Sequence, residues 1–427
     1  MHYPLNFIVA MYSGGYRGRV LWEYAPSRKR RAPLVVLFIF LILACFALFQ
    51  LVKPPAPARV KQTVSSSWVV PGNVKMPWPS SADVYIDLQG VGPVGGVGVN
   101  NVRPTASTAK IMTAYVILHD HPLSPGKSGP TITVSQRDVR LEVAEAKQLQ
   151  YVQYFPPGLQ LTEKQLLYGL LMRSWNNAAD ILARWDSGSR AAFVQKMNNM
   201  THKLGLDSMH FADDDGVSSH TVSSPYDLVK LAEICLKDPV FAKIVSTVQT
   251  TFPTVGVIYN LNQLVGHDGV IGVKTGWTPQ AGGVLVFAAR HTIDGRQVTL
   301  VGAEMGITSA SSDFDATFSA ATSLINTTFA NLKMHTFLPS GTVVAYAKEM
   351  GAKPVPLVIH DTVSLLSTPG MRYQVKLTLK KLEPPLVKGT LVGYFIVSNP
   401  DVSYKYPVYL GYNLPTPPWY VQLFTLP

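Results

Sequence analysis

Three short motifs follow one another along the chain, and together their residue types could transfer an acyl group. They are Ser107-x-x-Lys110, Ser174-x-Asn176 and Lys274-Thr275-Gly276. A serine hydroxyl becomes a useful nucleophile only when a base lies beside it. Ser107 and Lys110 are three residues apart at a predicted helix start, so their side chains share one face. The set therefore indicates attack by serine, with protons handled by a lysine and no histidine.

A lysine acts as a base at neutral pH only when its pKa falls, and burial or a nearby positive charge has that effect. We expect Lys274 to supply the positive charge. A second Ser-x-x-Lys match, from Ser124 to Lys127, lies in a Pro/Gly loop with no helix to align its side chains. We therefore exclude this second match as the nucleophilic site.

The other two motifs lie where the chain can expose them. Ser174 and Asn176 follow a strongly apolar predicted helix, and a break there would project both side chains. Lys274 and Thr275 end a predicted strand, and Gly276 lets another chain approach the strand edge. Taken alone, the first motif is also explained as a helix-surface pair, the second as a capping pair and the third as an ordinary strand exit. Their joint order favours the catalytic interpretation.

The elements around the motifs predict a mixed α/β domain over residues 81–334. A capping box at Thr162 and Gln165 opens one helix, and Ser224 with a following proline opens another. Strands are predicted at residues 82–88, 270–275, 283–289 and 297–303. After residue 334 the helical pattern ends. Short β-rich runs there predict a small, sandwich-like all-β domain over residues 335–427.

The N-terminal region predicts a membrane anchor. Residues 1–75 contain ten of the 37 Lys and Arg residues but only one of the 26 acidic residues. Residues 34–52 are apolar except for Gln50, and as a helix they span about 28 Å, close to the thickness of a bilayer core. The basic run before them places residues 1–33 in the cytoplasm and the body outside, beyond a Pro/Ser-rich stalk at 53–80. A cleaved signal peptide is the alternative.

Several function classes have little support. Charge is nearly balanced beyond residue 75, which argues against nucleic-acid binding. Cys45 lies in the apolar run and Cys235 in a predicted helix, so no disulfide is expected. His119 and His121 form the one close histidine pair, and we interpret them as surface residues rather than ligands of a zinc peptidase. We predict no metal and no cofactor.

The motifs and their flanks resemble the serine D-alanyl-D-alanine carboxypeptidases, the low-molecular-mass penicillin-binding proteins of peptidase S11 type. The order and spacing of the motifs match, as do flanking segments at 106–113, 177–179, 211–216 and 224–228. The resemblance covers residues 82–332 well and the β-domain more loosely. It implies a serine β-lactamase/transpeptidase-like catalytic domain, followed by the all-β domain. The transmembrane helix predicted from the apolar run would precede both.

The resemblance also implies a role for each motif residue in removing the terminal D-alanine of peptidoglycan stem peptides. Ser107 would attack the carbonyl, Lys110 would take its proton, and Ser174 would relay a proton to the leaving D-alanine. Backbone N–H groups of Ser107 and Trp277 would form the oxyanion hole. Penicillins would acylate the same serine. The substrate-binding residues would be Asn176, Lys274, Thr275, Gly276 and Trp277.

Two alternatives share these motifs. A serine β-lactamase would need fast deacylation, helped in one class by a dedicated glutamate, and the sequence identifies no such residue. A catalytically weak penicillin-binding wall protein is the other. Trp175 and Trp277 depart from the family pattern, and we expect both at the rim of the site, where they bear on substrate size and β-lactam sensitivity.

Overall fold

The computed structural model describes residues 32–53, 56–349 and 351–422. The chain divides into two compact units, Met1–Ala56 with Thr416–Pro427, and Pro57–Pro415. The predicted cytoplasmic tail lies outside the described residues up to residue 31, and so do residues 423–427 of the predicted β-domain.

The helices of the described residues follow in chain order. They are α1 (Ala32–Val52), a 3-10 helix (Ala106–Ala109), α2 (Lys110–Asp120), α3 (Gln136–Lys147), α4 (Glu163–Met172), α5 (Asn176–Ser187), α6 (Arg190–Leu204), α7 (Pro225–Cys235), α8 (Pro239–Val245), α9 (Asp313–Ala330) and α10 (Trp419–Gln422).

The strands follow in the same way. They are β1 (Arg59–Gln62), β2 (Ser67–Val69), β3 (Asp83–Leu88), β4 (Gly92–Val97), β5 (Arg103–Pro104), β6 (Thr131–Thr133), β7 (Gln160–Thr162), β8 (Val222–Ser223), β9 (Gln249–Phe252), β10 (Gly256–Tyr259), β11 (Val270–Thr278), β12 (Gly282–Ile293), β13 (Arg296–Ile307), β14 (Lys333–Leu338), β15 (Val343–Lys348), β16 (Val355–Ile359), β17 (Val363–Ser367), β18 (Arg372–Leu379), β19 (Leu391–Ser398) and β20 (Ser403–Leu410).

A five-stranded antiparallel sheet organises the region that carries the motifs. Its order is β11-β12-β13-β3-β4, so β11 lies at one edge. Successive side chains of a strand point to opposite faces. Accordingly Val284 and Val286 pack with α2, α4 and α5, whereas Leu285 and Phe287 pack with α9 and the C-terminal strands. The sheet is thus buried on both faces, so the edge at β11 is the part of the sheet where a substrate could bind.

The fold class is the one predicted from the sequence. The predicted strands at 270–275, 283–289 and 297–303 are the first parts of β11, β12 and β13. Both predicted helix starts are confirmed: Thr162 and Gln165 form a reciprocal capping box, and Ser224 caps α7 with Pro225 in its first turn. Beyond residue 334, the described chain is built from strands apart from the short α10.

The prediction of a stalk over residues 53–80 is wrong for two segments within it. A seven-stranded sheet has the order β1-β15-β16-β20-β19-β18-β2, so both of its edge strands come from the predicted stalk. β1 pairs with β15 and β2 pairs with β18, and the ring of Trp68 on β2 stacks on Phe337 of β14 at a centroid distance of 4.8 Å. Strand pairing satisfies backbone groups that a free stalk would leave to water. The domain boundaries at 80/81 and 334/335 stay a prediction.

The helix α1 matches the predicted membrane anchor in position. Residues Pro33–Val52 are long and apolar enough to cross a membrane, with a mean hydropathy of 3.0, and nearly all their side chains are exposed. A membrane anchor and a signal sequence both have these properties.

Candidate active site

Ser107 lies in a 3-10 turn that leads directly into α2. The residue before it, Ala106, has a positive φ of 46°, and residues other than glycine adopt that conformation only when the surroundings hold them there. Gly216 packs against this turn, since a Cβ added to it would lie 1.8 Å from the Ala106 carbonyl oxygen. The close contact with a glycine therefore fixes the backbone that presents the Ser107 side chain.

Lys110 begins α2 and lies at the centre of the site. Its Nζ is 3.0 Å from Ser107 Oγ, and it donates hydrogen bonds to Asn176 Oδ1 at 2.8 Å and to the Asp215 main-chain carbonyl at 2.7 Å. The side chain is fully buried. Burial lowers the pKa of the Lys110 ammonium, although Asp215 and neighbouring carboxylates oppose the shift. A lysine held in this way can accept the Ser107 proton.

Lys274 differs from the prediction in how it acts. It is fully buried on β11, and its Nζ donates to the Thr275 carbonyl at 2.8 Å. Burial lowers the pKa of Lys274 well below its ordinary value, and the charge of Lys110 adds to this. For Lys110, by contrast, the main cause of the lowered pKa is its own burial rather than the charge of Lys274.

Ser174 lies in the predicted break, between the end of α4 and the start of α5. Its φ is 62°, a left-handed conformation that is uncommon for serine and turns its side chain out of the helical path. Within the described part of the chain, its buried Oγ has no hydrogen-bond partner. Most buried hydroxyls are hydrogen-bonded, so this one is an unsatisfied group at the wall of a cavity.

Asn176 is the first residue of α5 and connects two parts of the site. Its Oδ1 accepts from Lys110, and its Nδ2 donates to Gln150 Oε1 at 3.0 Å. Its backbone N–H donates to the Tyr151 carbonyl at 2.9 Å. The segment after α3 therefore orients the amide that receives the lysine. We did not predict Gln150, because its side-chain contact depends on the path of the loop between α3 and β7.

The third motif lies on the edge strand β11. Thr275 and Gly276 face the cavity, and a Cβ added to Gly276 would lie 3.0 Å from the Ser107 backbone nitrogen. Glycine therefore suits this close approach, as its position at a strand edge predicts. Trp277 is 45% exposed, and its Nε1 donates to Asp313 Oδ2 at 2.8 Å. The start of α9 thus holds the indole at the rim.

One cavity of about 450 Å³ connects the three motifs. It is lined by Ser107, Gln148, Leu149, Gln150, Tyr151, Ser174, Asn176, Gly216, Val217, Leu261, Thr275, Gly276, Trp277, Thr278, Pro279 and Phe314. Two residues of the prediction, Lys110 and Lys274, lie behind this wall rather than on it. A cavity with a serine, a buried lysine partner and a strand edge has the parts that acyl transfer from a peptide requires.

The prediction that both tryptophans lie at the rim is wrong for Trp175. It is 2% exposed and packs edge-on against Phe155 and Phe252, at centroid distances of 5.7 and 4.9 Å. A Cβ on Gly169 would lie 2.4 Å from its ring, so the helix before it leaves room for the indole. The left-handed backbone at Ser174 separates the two side chains, one towards the cavity and one towards the core.

The second Ser-x-x-Lys match and the histidine pair, both set aside in the sequence analysis, lie away from the cavity. Ser124 and Lys127 are exposed in a turn, where the Lys127 N–H donates to the Ser124 carbonyl at 3.0 Å. His119 Nδ1 lies 2.7 Å from Asp120, and His121 Nε2 lies 3.0 Å from Asp186. Each histidine therefore has its own carboxylate.

The sequence matches the peptidase S11 family, described as D-alanyl-D-alanine carboxypeptidase, over residues 97–305. That range contains all three motifs. A D-alanyl-D-alanine carboxypeptidase of Streptomyces sp. is 34% identical over 270 residues, which cover 56% of this chain and 88% of the relative. The chain belongs to the D-alanyl-D-alanine carboxypeptidase family.

Two similar proteins are named for other reactions, and a third shares the fold at low sequence identity. A D-alanyl-D-alanine endopeptidase of Haemophilus influenzae is 32% identical over 200 residues, covering 45% of this chain and 64% of that protein. A solved Streptomyces DD-transpeptidase is 32% identical with a TM-score of 0.53, covering 60% of this chain and 100% of its own. The solved carboxypeptidase DacD of Francisella tularensis shares the fold, with a TM-score of 0.59 and 17% identity. The match covers 84% of this chain and 98% of DacD.

The cavity also contains residues that we did not predict from the family pattern. Leu149 is 94% exposed and has a positive φ of 57°. Tyr151, Val217 and Phe314 are exposed apolar residues on the same rim. They lie in three separate segments, so no local sequence motif could have grouped them.

Proposed function

We propose that this chain is a serine D-alanyl-D-alanine carboxypeptidase that removes the terminal D-alanine of peptidoglycan stem peptides through an acyl-enzyme on Ser107. One observation carries the proposal. The buried Lys110 Nζ lies 3.0 Å from Ser107 Oγ and 2.8 Å from Asn176 Oδ1. The base is therefore within hydrogen-bond reach of both the serine and the group that orients the base.

In the acylation step, Ser107 Oγ attacks the carbonyl carbon between the two D-alanines, and its proton moves to Lys110 Nζ. Burial favours the neutral form of Lys110, which is the form that can accept a proton. Backbone N–H groups of Ser107 and Trp277 receive the developing oxyanion. Each such donor contributes roughly 10²- to 10³-fold in rate. The close contact of Gly276 with the Ser107 nitrogen supports this assignment.

Collapse of the tetrahedral intermediate breaks the peptide bond to the terminal D-alanine. The leaving nitrogen needs a proton, and the Ser174 hydroxyl passes it on from Lys110. The Ser174 Oγ lines the cavity and has no partner among the described residues, so it is available for this relay. The relay accounts for an otherwise unsatisfied buried hydroxyl in a left-handed turn.

The terminal carboxylate of the substrate lies against the end of β11. Thr275 faces the cavity and supplies its hydroxyl, whereas Lys274 lies behind it and contributes charge. A carboxylate in the cavity would favour the charged form of Lys274 and strengthen the contact. Asn176 and Gly276 complete the contacts with the substrate backbone, which we place along the edge of β11 as an added strand.

Water then attacks the acyl-enzyme and frees Ser107, leaving the shortened peptide. Among the described residues that line the cavity, none is a carboxylate. This supports a carboxypeptidase over the alternative serine β-lactamase, whose fast deacylation is helped in one class by a dedicated glutamate. Penicillins are expected to acylate Ser107, and the resulting acyl-enzyme is expected to hydrolyse slowly.

We also propose where the protein acts and how it is divided. The apolar helix at 34–52 would be a retained anchor, with residues 1–33 in the cytoplasm and the catalytic domain at 81–334 outside, where peptidoglycan lies. Residues 335–427 would form a separate β-domain. Protease protection of the N-terminus in sealed membranes, with the body digested from outside, tests this topology.

Product analysis tests the function. The purified protein should release free D-alanine from a pentapeptide that ends in D-alanyl-D-alanine, and Ser107→Ala should abolish the release. Ser124→Ala is the matched control, because it removes a serine from the exposed Ser-x-x-Lys match. Rapid cephalosporin turnover without D-alanine release would instead identify a β-lactamase. Penicillin labelling without any turnover would identify a wall-binding protein.

A further inference from the structure

One arginine, Arg190 at the start of α6, gathers four buried carboxylates from three segments. Its Nε donates to Asp214 Oδ1 at 2.8 Å and lies 2.6 Å from Asp180 Oδ1 on α5. Its terminal nitrogens lie 3.6 Å from Asp215 and 3.7 Å from Glu145 on α3. All four carboxylates are less than 10% exposed. Arg190 therefore joins α3, α5 and α6 to the loop that carries Asp214 and Asp215.

The same loop holds the catalytic lysine from the other side. The main-chain carbonyl of Asp215 accepts from Lys110 Nζ at 2.7 Å, and that of Asp214 accepts from Thr113 Oγ1 at 2.5 Å. Both acceptors are backbone atoms, so their position depends on where the loop lies rather than on side-chain rotation. Side chains of the loop face Arg190 and its carbonyls face α2.

We propose that Arg190 is a positioning residue for acyl transfer: it holds the Asp214–Asp215 loop so that the Asp215 carbonyl stays on Lys110. The inference rests on the proposed function, because it takes Lys110 as the proton acceptor of Ser107. Arg190 itself lines a neighbouring cavity of about 660 Å³ and not the one that contains the motifs. It acts through the loop, without touching the substrate.

Charge explains why the loop needs this arginine. A buried carboxylate without a counter-ion is strongly unfavourable, and one guanidinium here faces four. Burial raises the pKa of Asp180 to about 9 and that of Asp214 to about 7, so part of the cluster remains protonated. Without Arg190 the loop would have to move its carboxylates towards water. Such a movement would carry the Asp215 carbonyl away from Lys110.

Arg190 also adjusts the charge that Lys110 senses. The titratable groups facing Lys110 are the carboxyl groups of residues 213–215, the Glu145 carboxyl group and the Lys274 amine. The carboxylates raise the pKa of Lys110 against the effect of burial. Removing the guanidinium leaves them uncompensated, which favours the charged lysine. Since only neutral Lys110 accepts a proton, the acid limb of the acylation rate should move to higher pH.

The test compares acylation of Ser107 by a fluorescent penicillin in three full-length variants. Arg190→Met should lower the rate constant by about 10- to 100-fold, the cost of misplacing a reacting group by about 1 Å, and move the acid limb to higher pH. Arg190→Lys should restore most of the rate. Arg184→Met is the matched control, because Arg184 donates to Asp138 at 2.7 and 2.8 Å and this pair lies away from Lys110. The control variant should be acylated at the wild-type rate.

Equal rates in Arg190→Met and Arg184→Met would overturn the proposal, and so would a rate loss in Arg190→Met with an unmoved acid limb. If Arg190→Met does not fold, the acylation rate of Asp214→Asn tests the proposal instead. This substitution keeps the size of the side chain and weakens its ion pair with Arg190. A wild-type rate in that variant would overturn the proposal. If the wild type forms no adduct, the proposed function fails. Crystals of Asp214→Asn then test positioning alone: a retained 2.7 Å contact from Lys110 to Asp215 would overturn it.

Discussion

Lys110 and Asn176 are 66 residues apart in the chain, yet Lys110 Nζ and Asn176 Oδ1 lie 2.8 Å apart in the interior. This contact joins the first motif to the second and fixes the lysine that faces Ser107. Both side chains are buried, so the charge state of Lys110 is set by its protein surroundings rather than by water.

Asn176→Asp should make the enzyme require a higher pH. A carboxylate at this distance favours the charged form of Lys110 and raises its pKa, typically by about 1–3 units. The acid limb of kcat/KM for D-alanine release should shift in the same direction. Asn331→Asp, at the end of α9 on the other face of the sheet, makes the same charge change and should leave the limb in place. An unmoved limb in Asn176→Asp would show that Lys110 is not the base.

Ser174→Ala should separate catalysis from stability. The hydroxyl has no partner in the described structure, so its removal should change the free energy of unfolding by less than about 1 kcal/mol. Loss of a proton relay should lower acylation by roughly 10²- to 10⁴-fold. Ser174→Gly should lose the same activity and melt at a higher temperature, because glycine accepts the positive φ. Full activity in both variants would exclude the relay.

Lys274→Met should weaken the substrate contact and stabilise the fold. The pKa of Lys274 is lowered in the folded state, so the unfolded chain binds its proton more tightly and the stability of the wild type rises with pH up to about 10.4. The stability advantage of Lys274→Met should therefore narrow between neutral pH and pH 10. Urea unfolding at several pH values measures this difference. A variant that is less stable than the wild type at neutral pH would make Lys274 a structural residue.

The sequence predicts the parts of the site that depend on local geometry. Ser107 and Lys110 meet because they are one helical turn apart, and Gly276 suits the place where a strand edge approaches a turn. The backbone conformation at Ser174 is not a property of its residue type, so the burial of Trp175 was mispredicted. The pairing of β1 with β15 joins segments about 280 residues apart, as the Thr63 contact with Val343 illustrates.

The two tryptophans should respond differently to truncation. Trp175→Ala removes a buried ring between Phe155 and Phe252 and should cost about 3–5 kcal/mol of folding free energy. Trp277→Ala removes a half-exposed ring and one hydrogen bond to Asp313, which should cost about 1 kcal/mol and alter KM more than stability. Urea unfolding compares them. A larger loss in Trp277→Ala would contradict the assignment of Trp175 to the core.

The role of Ser107 as the nucleophile is tested most directly by peptide mapping with mass spectrometry after reaction with a penicillin. We expect one covalent adduct on the peptide that contains Ser107, present in the wild type and in Ser124→Ala, and absent in Ser107→Ala. The adduct should form more slowly when Lys110 is replaced by methionine, because the serine then has no base. An adduct on Ser124, or a folded wild-type protein with no adduct at all, would contradict it.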